Sequence, residues 1–207
     1  MLLRRWFFLM AGLAFFGFSL GLVVRADVGL APWDVFHQGV SQQIGWSLGT
    51  VIIATSFFVV LLWIPIRERP GIGTLANAVL VGLWVDVSLW ILPEELSSMT
   101  ARLVFLVVGI VVNGVATGLY IGARFGSGPR DGLMTGLAAR GFSVRVVRTI
   151  IEVIVLVSGV LLGGSIGVGT VLFAVAIGPI AHKAIPFFTK FTALGEQPER
   201  SRLHHSG

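Results

Sequence analysis

Six stretches of about twenty mostly apolar residues run through this chain, and they constrain its fold more than any other feature. A transmembrane helix needs about 20 such residues to cross a hydrocarbon layer about 30 Å thick. Only 12% of the residues are charged and the mean hydropathy is +0.92, whereas soluble domains are about 25% charged. The pattern excludes a water-soluble globule and predicts an all-α membrane protein with six transmembrane helices. These predicted spans cover residues 6–24, 48–66, 74–92, 103–123, 146–163 and 170–188.

The basic residues orient the predicted spans across the membrane. Cytoplasmic loops of membrane proteins are enriched in Lys and Arg. With the amino terminus inside the cell, all of the 15 Lys and Arg residues except Arg25 and Arg102 fall on the cytoplasmic side. This orientation places both termini in the cytoplasm. It also attributes the formal net charge of +5 to topology, so that the lipid bilayer is the expected partner and nucleic acid is not.

The two halves of the chain resemble each other over much of their length. Residues 5–40 align with a segment 97 positions later, and residues 71–82 align with a segment 96 positions later. Each half holds three predicted spans, so the second half has to enter the membrane from the opposite side. The sequence therefore predicts two inverted three-helix repeats, residues 1–95 and 96–188, followed by a disordered cytoplasmic tail over 189–207. Identical pairs at the first offset are Arg5/Arg102, Phe8/Phe105, Leu9/Leu106, Gly12/Gly109, Gly17/Gly114, Gly21/Gly118, Leu22/Leu119, Ala26/Ala123, Gly29/Gly126, Pro32/Pro129, Asp34/Asp131 and Gly39/Gly136.

A short half-helix is predicted between the first and second spans of each repeat, over residues 32–44 and 129–140. Pro32 and Pro129 stand where a helix accepts proline, at its first position. Asp34 and Asp131 follow in the first turn, where a carboxylate favours the positive helix end. Two interpretations remain open. Either the half-helices lie at the membrane surface and the aspartates only stabilise them, or both re-enter the membrane and bring their amino termini towards its midplane.

Ionisable residues inside predicted spans are costly there and indicate function. Asp86 lies in the third span, and it either belongs to a site or hydrogen-bonds a neighbouring helix. Arg148 and Glu152 are spaced i, i+4 and are predicted to form a structural ion pair. No catalytic residue, metal ligand set or cofactor motif is recognised, and the chain is not expected to be an enzyme. The candidate substrate-binding residues are Pro32, Asp34, His37, Asp86, Pro129, Arg130 and Asp131.

Glycines also recur in the two halves as Gly17-x-x-x-Gly21 and Gly114-x-x-x-Gly118. Small residues at this spacing let two membrane helices approach closely. Their recurrence predicts that the first and fourth spans contact each other through these faces.

Several motifs are similar to those of the YczE/YyaS/YitT family of bacterial membrane proteins, most closely to its YczE-like branch. The resemblance covers residues 1–188, and it implies a location in the bacterial cell membrane without implying an activity or catalytic residues. The motifs are Gly29-Leu-Ala-Pro-Trp-Asp-Val-Phe-His-Gln-Gly, Trp63-Ile-Pro-Ile-Arg-Glu-Arg-Pro-Gly-Ile-Gly-Thr, Gly118-Leu-Tyr-Ile-Gly-Ala, Gly128-Pro-Arg-Asp-Gly-Leu-Met-Thr-Gly-Leu and Arg145-Val-Val-Arg-Thr-Ile-Ile-Glu.

Inverted repeats are typical of secondary transporters, whose sites lie between the repeats near the membrane midplane. The leading prediction is a small transporter or channel-like protein for an unknown small solute, with its site at the repeat interface. The alternative is a non-transporting accessory protein that binds or stabilises a partner protein. Six spans make a thin bundle, so a homodimer is also considered.

Overall fold

The computed structural model describes residues 2–193, and that part of the chain forms eight α-helices with no strand. The predicted half-helix over 32–44 coincides with a helix over Pro32–Ile44, and the one over 129–140 corresponds to a helix over Pro129–Ala138, which ends two residues earlier. The helices are α1 (Leu2–Ala26), α2 (Pro32–Ile44), α3 (Leu48–Leu61), α4 (Ile72–Ile91), α5 (Met99–Gly122), α6 (Pro129–Ala138), α7 (Val144–Leu161) and α8 (Val168–Ala193).

Four of the helices in the described part, α1, α4, α5 and α8, are long and apolar enough to cross a membrane. A fifth span results if α2 and α3, which meet at an angle of 114°, count as one bent span. The six predicted spans are therefore not all present as separate long helices. At 14 residues, α3 is about 21 Å long, shorter than a hydrocarbon layer of about 30 Å. Helix α7 has 18 residues but includes three charged ones, Arg145, Arg148 and Glu152.

The long helices form the body of the fold, in which α1 packs along α5, α4 packs on α1, and α8 packs on α5. Helices α1 and α5 are antiparallel. Arg5, at the start of α1, donates from Nε to the carbonyl oxygen of Ala123 just beyond α5 at 2.9 Å. Arg102, at the start of α5, donates from Nη1 to the Oδ2 of Asp27 just beyond α1 at 3.0 Å. Fully buried leucines and valines of α1 and α4, such as Leu13 and Val85, fill the space between these helices.

The repeated glycine faces do not mediate the contact that their spacing predicted. Gly17 lies against Trp84 and Val81 of α4, and Gly118 lies against Ala184 of α8. The contact between α1 and α5 uses other glycines, including Gly12, where a Cβ would stand 2.7 Å from the backbone nitrogen of Tyr120. The spacing correctly indicated close helix contacts but not which helices make them, because several glycines lie on each helix.

The loops that precede α2 and α6 have the same conformation and contact the starts of α8 and α4. Gly29 and Gly126 have φ of 110° and 123°, backbone conformations that residues other than glycine rarely adopt. The amide of Gly169 donates to the carbonyl of Val28 at 2.8 Å, and the amide of Gly73 donates to that of Phe125 at 3.0 Å. Each half of the chain thus anchors the loop of the other half.

Residues 189–193, which were predicted to belong to a disordered tail, are helical, because α8 continues through Ala193. The hydroxyl of Thr192 donates to the carbonyl oxygen of Gly122 at 2.6 Å, which holds this end of α8 against α5. The remainder of the predicted tail, residues 194–207, lies outside the described residues.

Candidate functional site

A cavity of about 520 Å³ lies at the centre of the bundle, and its lining includes residues from all eight helices. The starts of α2 and α6 meet there. Pro32 and Pro129 are the first residues of these helices, where the missing proline N–H leaves no helical hydrogen bond unmade. Asp34 and Asp131 lie in the first turns and also line the cavity. The starts of these two helices therefore bring together four of the seven residues predicted for the site.

Arg130 joins the two half-helices. Its Nη2 atom lies 3.9 Å from Oδ1 of Asp34 and 3.4 Å from Nδ1 of His37, although these residues are on the other half-helix. Within α2, Nδ1 of His37 lies 3.5 Å from Oδ1 of Asp34, one helical turn away. His37 is completely buried behind Asp34 and does not line the cavity. The three side chains form one charged cluster on the wall of the cavity.

The wall beside this cluster is aromatic. The guanidinium carbon of Arg130 stands 4.9 Å from the ring centre of Trp33, a cation–π arrangement. Trp33 Nε1, Asp34 Oδ1 and His37 Nε2 are buried and have no hydrogen-bond partner within the described residues. Buried polar atoms are almost always hydrogen-bonded in folded proteins. All three atoms belong to the first two turns of α2, so the start of this helix has unsatisfied hydrogen-bonding capacity.

Tyr120 is a site residue that the sequence analysis missed. Its hydroxyl donates to Oδ2 of Asp131 at 2.8 Å and lines the cavity. Trp63 also contacts this region, donating from Nε1 to the carbonyl oxygen of Pro129 at 3.1 Å. A signal for Tyr120 was present, because it is the only tyrosine in the chain and stands in a predicted span.

Asp86 is not part of the cavity lining. Its carboxylate instead accepts hydrogen bonds at the start of α3, from the hydroxyl of Ser47 at 2.6 Å and from the amide of Gly49 at 2.8 Å. This is the alternative that the sequence left open for Asp86, a hydrogen bond to a neighbouring helix. The residue lies far along α4, near its carboxyl end, where it meets the start of α3.

Arg148 and Glu152 form the predicted ion pair, with Nε and Oε1 2.8 Å apart. Both side chains also line the cavity, as does His182 of α8. The pair is half-exposed, and pairs of this kind contribute little to stability, about 0–1 kcal/mol. Their location on the cavity wall is therefore more informative than their contribution to folding.

Comparisons with known proteins identify the relatives of this chain. Residues 3–186 match the model of a family described as "Family of unknown function (DUF6198)". The chain belongs to this family. It is 38% identical to an uncharacterised protein of Haemophilus influenzae over 175 residues, which cover 84% of this chain and 80% of the relative. It is also 36% identical to the uncharacterised membrane protein YczE of Bacillus subtilis over 188 residues, covering 89% and 87%. A third relative is the B. subtilis protein YyaS, 27% identical over 181 residues, covering 84% and 89%.

Family membership confirms the resemblance that the motifs indicated. The relative YczE is described as a membrane protein, and residues 2–193 of this family member include four helices long and apolar enough to cross a bilayer. The chain is therefore a membrane protein. No solved structure matches it.

Proposed function

We propose that this family member is a small transporter or channel-like protein whose substrate site is the central cavity, between two halves related as inverted repeats. The observation that carries the proposal is the composition of the cavity wall. Residues related by the sequence offsets of 97 or 96 are here called counterparts. Ten counterpart pairs line the cavity: Phe16/Asn113, Leu20/Thr117, Ala31/Gly128, Pro32/Pro129, Trp33/Arg130, Asp34/Asp131, Ile52/Arg148, Ser56/Glu152, Asn77/Phe173 and Val81/Ile177.

Reciprocal hydrogen bonds support the inverted arrangement. Arg5 donates to the carbonyl of Ala123, and its counterpart Arg102 donates to Asp27, the residue after the counterpart of Ala123. The bonds between the two helix starts and the two loops are exchanged in the same way. Exchanged contacts of this kind are the pattern of a two-fold axis. Because α1 and α5 are antiparallel, such an axis would lie in the plane of the membrane, as in transporters with inverted repeats.

The chemistry of the wall indicates a charged or polar solute. Asp34, Arg130 and Asp131 all line the cavity, and the carboxylate of Asp34 in the first half lies 3.9 Å from the guanidinium of Arg130 in the second. A lipid chain offers no hydrogen bond to the unsatisfied Trp33 Nε1 and Asp34 Oδ1 of the cavity wall, and a buried polar atom without a partner costs about 1–3 kcal/mol. A site that serves only as a contact for a partner protein would have no need for a cavity of about 520 Å³ inside the bundle.

A transport assay that screens many solutes at once tests this proposal. Vesicles containing the purified protein are incubated with the soluble metabolites of a bacterial lysate, washed, and compared by mass spectrometry with empty vesicles. We expect at least one charged or polar metabolite to be enriched. The variant Asp34→Asn should reduce that enrichment at least about tenfold, because a hydrogen bond to a charged group contributes about 1.5–3 kcal/mol.

The matched control is Glu95→Gln, an exposed carboxylate in the loop between α4 and α5. It should leave the enrichment unchanged. No enrichment of any metabolite, together with one protein that co-purifies from bacterial membranes in fixed ratio, would overturn transport and favour the accessory role.

Orientation in the membrane is a second expectation of the proposal. With both termini in the cytoplasm, a fusion at residue 95 lies outside the cell and one at residue 135 lies inside. Alkaline phosphatase fused at 95 should be active, and green fluorescent protein fused at 135 should fluoresce, because each reporter works only on its own side. Reporters that place both positions on the same side would contradict the inverted topology.

A further inference from the structure

The two halves differ in the packing of the helix that follows each half-helix. In the first half, α3 packs along α4. In the second half, the corresponding helices α7 and α8 make at most marginal contact within residues 2–193. The difference is large for two segments that share their place in the repeat.

Helices α3 and α4 are held together at one point by a latch of four residues, Ser47, Gly49, Gly82 and Asp86. The backbone oxygen of Gly82 lies so close to Gly49 that a Cβ on either glycine would overlap the backbone of the other. Asp86 accepts from the hydroxyl of Ser47 and from the amide of Gly49 at the start of α3. This carboxylate satisfies two groups of a helix start and joins α3 to α4.

The four residues that correspond to the latch in the second half do not form the same contact between α7 and α8. They are Ser143, Arg145, Gly178 and His182. A Cβ on Gly178 would meet no atom within 4 Å, whereas one on Gly82 would overlap the backbone of Gly49. His182 lies on the wall of the cavity, whereas its counterpart Asp86 is outside the cavity.

The cavity extends towards the side where the latch is missing. Among the described residues, eight line the cavity although their counterparts do not. All eight belong to the second half. Of their counterparts, Val23, His37, Ala78 and Val85 are fully buried, so that side is sealed. The eight are Tyr120, Ile121, Met134, Ala174, Gly178, Ala181, His182 and Ile185.

We propose that α3/α4 and α7/α8 are the two gates of the cavity, and that they close in alternation. The inference rests on the proposed function, and it identifies Asp86 as the residue that locks the closed gate. In the second state α7 packs against α8 around Gly178, with Ser143 facing His182, while the latch at Asp86 opens. The two states are then related by exchanging the roles of the halves, and the structure described here is one of them.

Disulfide trapping tests the gates directly, because the natural chain contains no cysteine. One pair, Ser47→Cys with Asp86→Cys, spans the closed gate. The counterpart pair, Ser143→Cys with His182→Cys, spans the open gate. Both are oxidised in vesicles, in the presence and absence of the lysate metabolites used in the transport assay, and linkage is measured by the mass of the fragments after proteolysis.

We expect each pair to form a disulfide in part of the molecules, and the variant carrying both pairs to form one or the other but not both. Oxidation of either pair should lower metabolite enrichment below that of the same variant in its reduced form. Failure of the pair at 143 and 182 to link under any condition, in vesicles that still transport, would overturn the gates and leave the transporter intact. Alternating linkage in the variants, together with no transport of any metabolite by the natural chain, would keep the gates and overturn the proposed function.

A second measurement separates the latch from a merely structural role for Asp86. In the background of the pair at 143 and 182, Asp86→Ala should speed disulfide formation about tenfold, because it removes both hydrogen bonds that favour the closed α3/α4 gate. The control Glu95→Ala should leave the rate unchanged. A slower or unchanged rate with Asp86→Ala, in protein that still folds, would contradict the assignment of Asp86 as the latch.

Discussion

Replacement of Arg130 by methionine is expected to lower the free energy of unfolding by about 3 kcal/mol, near the lower end of the range for breaking a buried ion pair. The guanidinium lies close to Asp34 and His37, both buried, and stacks on Trp33. Without it, the Asp34 carboxylate remains in the interior with no cationic side chain opposite it. Denaturant unfolding of the purified protein in detergent, followed by tryptophan fluorescence, measures the change.

A double-mutant cycle identifies the partner of Arg130. Combining Arg130→Met with Asp34→Asn should cost about 1–2 kcal/mol less than the sum of the two single variants, because the second change removes the charge that the first left unpaired. Arg148→Met is the matched control, since that guanidinium is half-exposed and its pair with Glu152 should contribute at most about 1 kcal/mol. Strict additivity of the Arg130 and Asp34 variants would show that the two side chains do not interact.

Valine is expected to destabilise the fold at Gly82 but not at its counterpart Gly178. At Gly82 the added side chain would overlap the backbone of Gly49, so α3 and α4 have to separate. Forcing extra atoms into a packed contact costs about 1–3 kcal/mol, and we expect the upper end here. At Gly178 the space is open and valine favours the helix more than glycine does, so stability should be unchanged or slightly higher.

The same two variants also connect stability to the gates. Gly178→Val should fold normally and yet transport poorly, because its side chain stands where α7 has to approach α8. Thermal unfolding and metabolite enrichment, measured on the same preparation, separate the two effects. Gly178→Val protein that both folds and transports as the natural chain does would contradict the proposed second gate, and a stable Gly82→Val protein would contradict the described contact between α3 and α4.

Local features of the fold were predictable from the sequence because their causes are local. Pro32 and Pro129 stand at the first positions of helices, because proline lacks an N–H and only the later positions of a helix require one. Arg148 and Glu152 pair because residues four apart lie on one helix face. The motifs that resemble the YczE-like family run through most of the chain, and the family comparison confirmed the membership.

Other predictions needed information that the sequence does not carry. Hydropathy alone counted six spans, but α3 is too short and α7 too charged to be recognised as long membrane helices in the structure. The predicted site included Asp86, whose carboxylate instead accepts from the start of α3, and it did not name Tyr120, whose hydroxyl donates to Asp131. The cluster of Asp34, His37 and Arg130 joins residues more than ninety positions apart, and no local pattern reports such a distance.

By itself, the sequence determined the helical membrane class, the starts of the half-helices, the internal similarity of the halves and the family. These four features depend on hydropathy, on backbone chemistry and on residue identity, all of which can be read from the order of the residues. Only the tertiary structure decided which helices approach each other, which charges meet, and which of two equivalent glycines is enclosed. Gly82 and Gly178 are equivalent in sequence, yet the packing of a neighbouring helix closes one and leaves the other open. That difference arises from contacts between distant segments, so neither segment alone contains it.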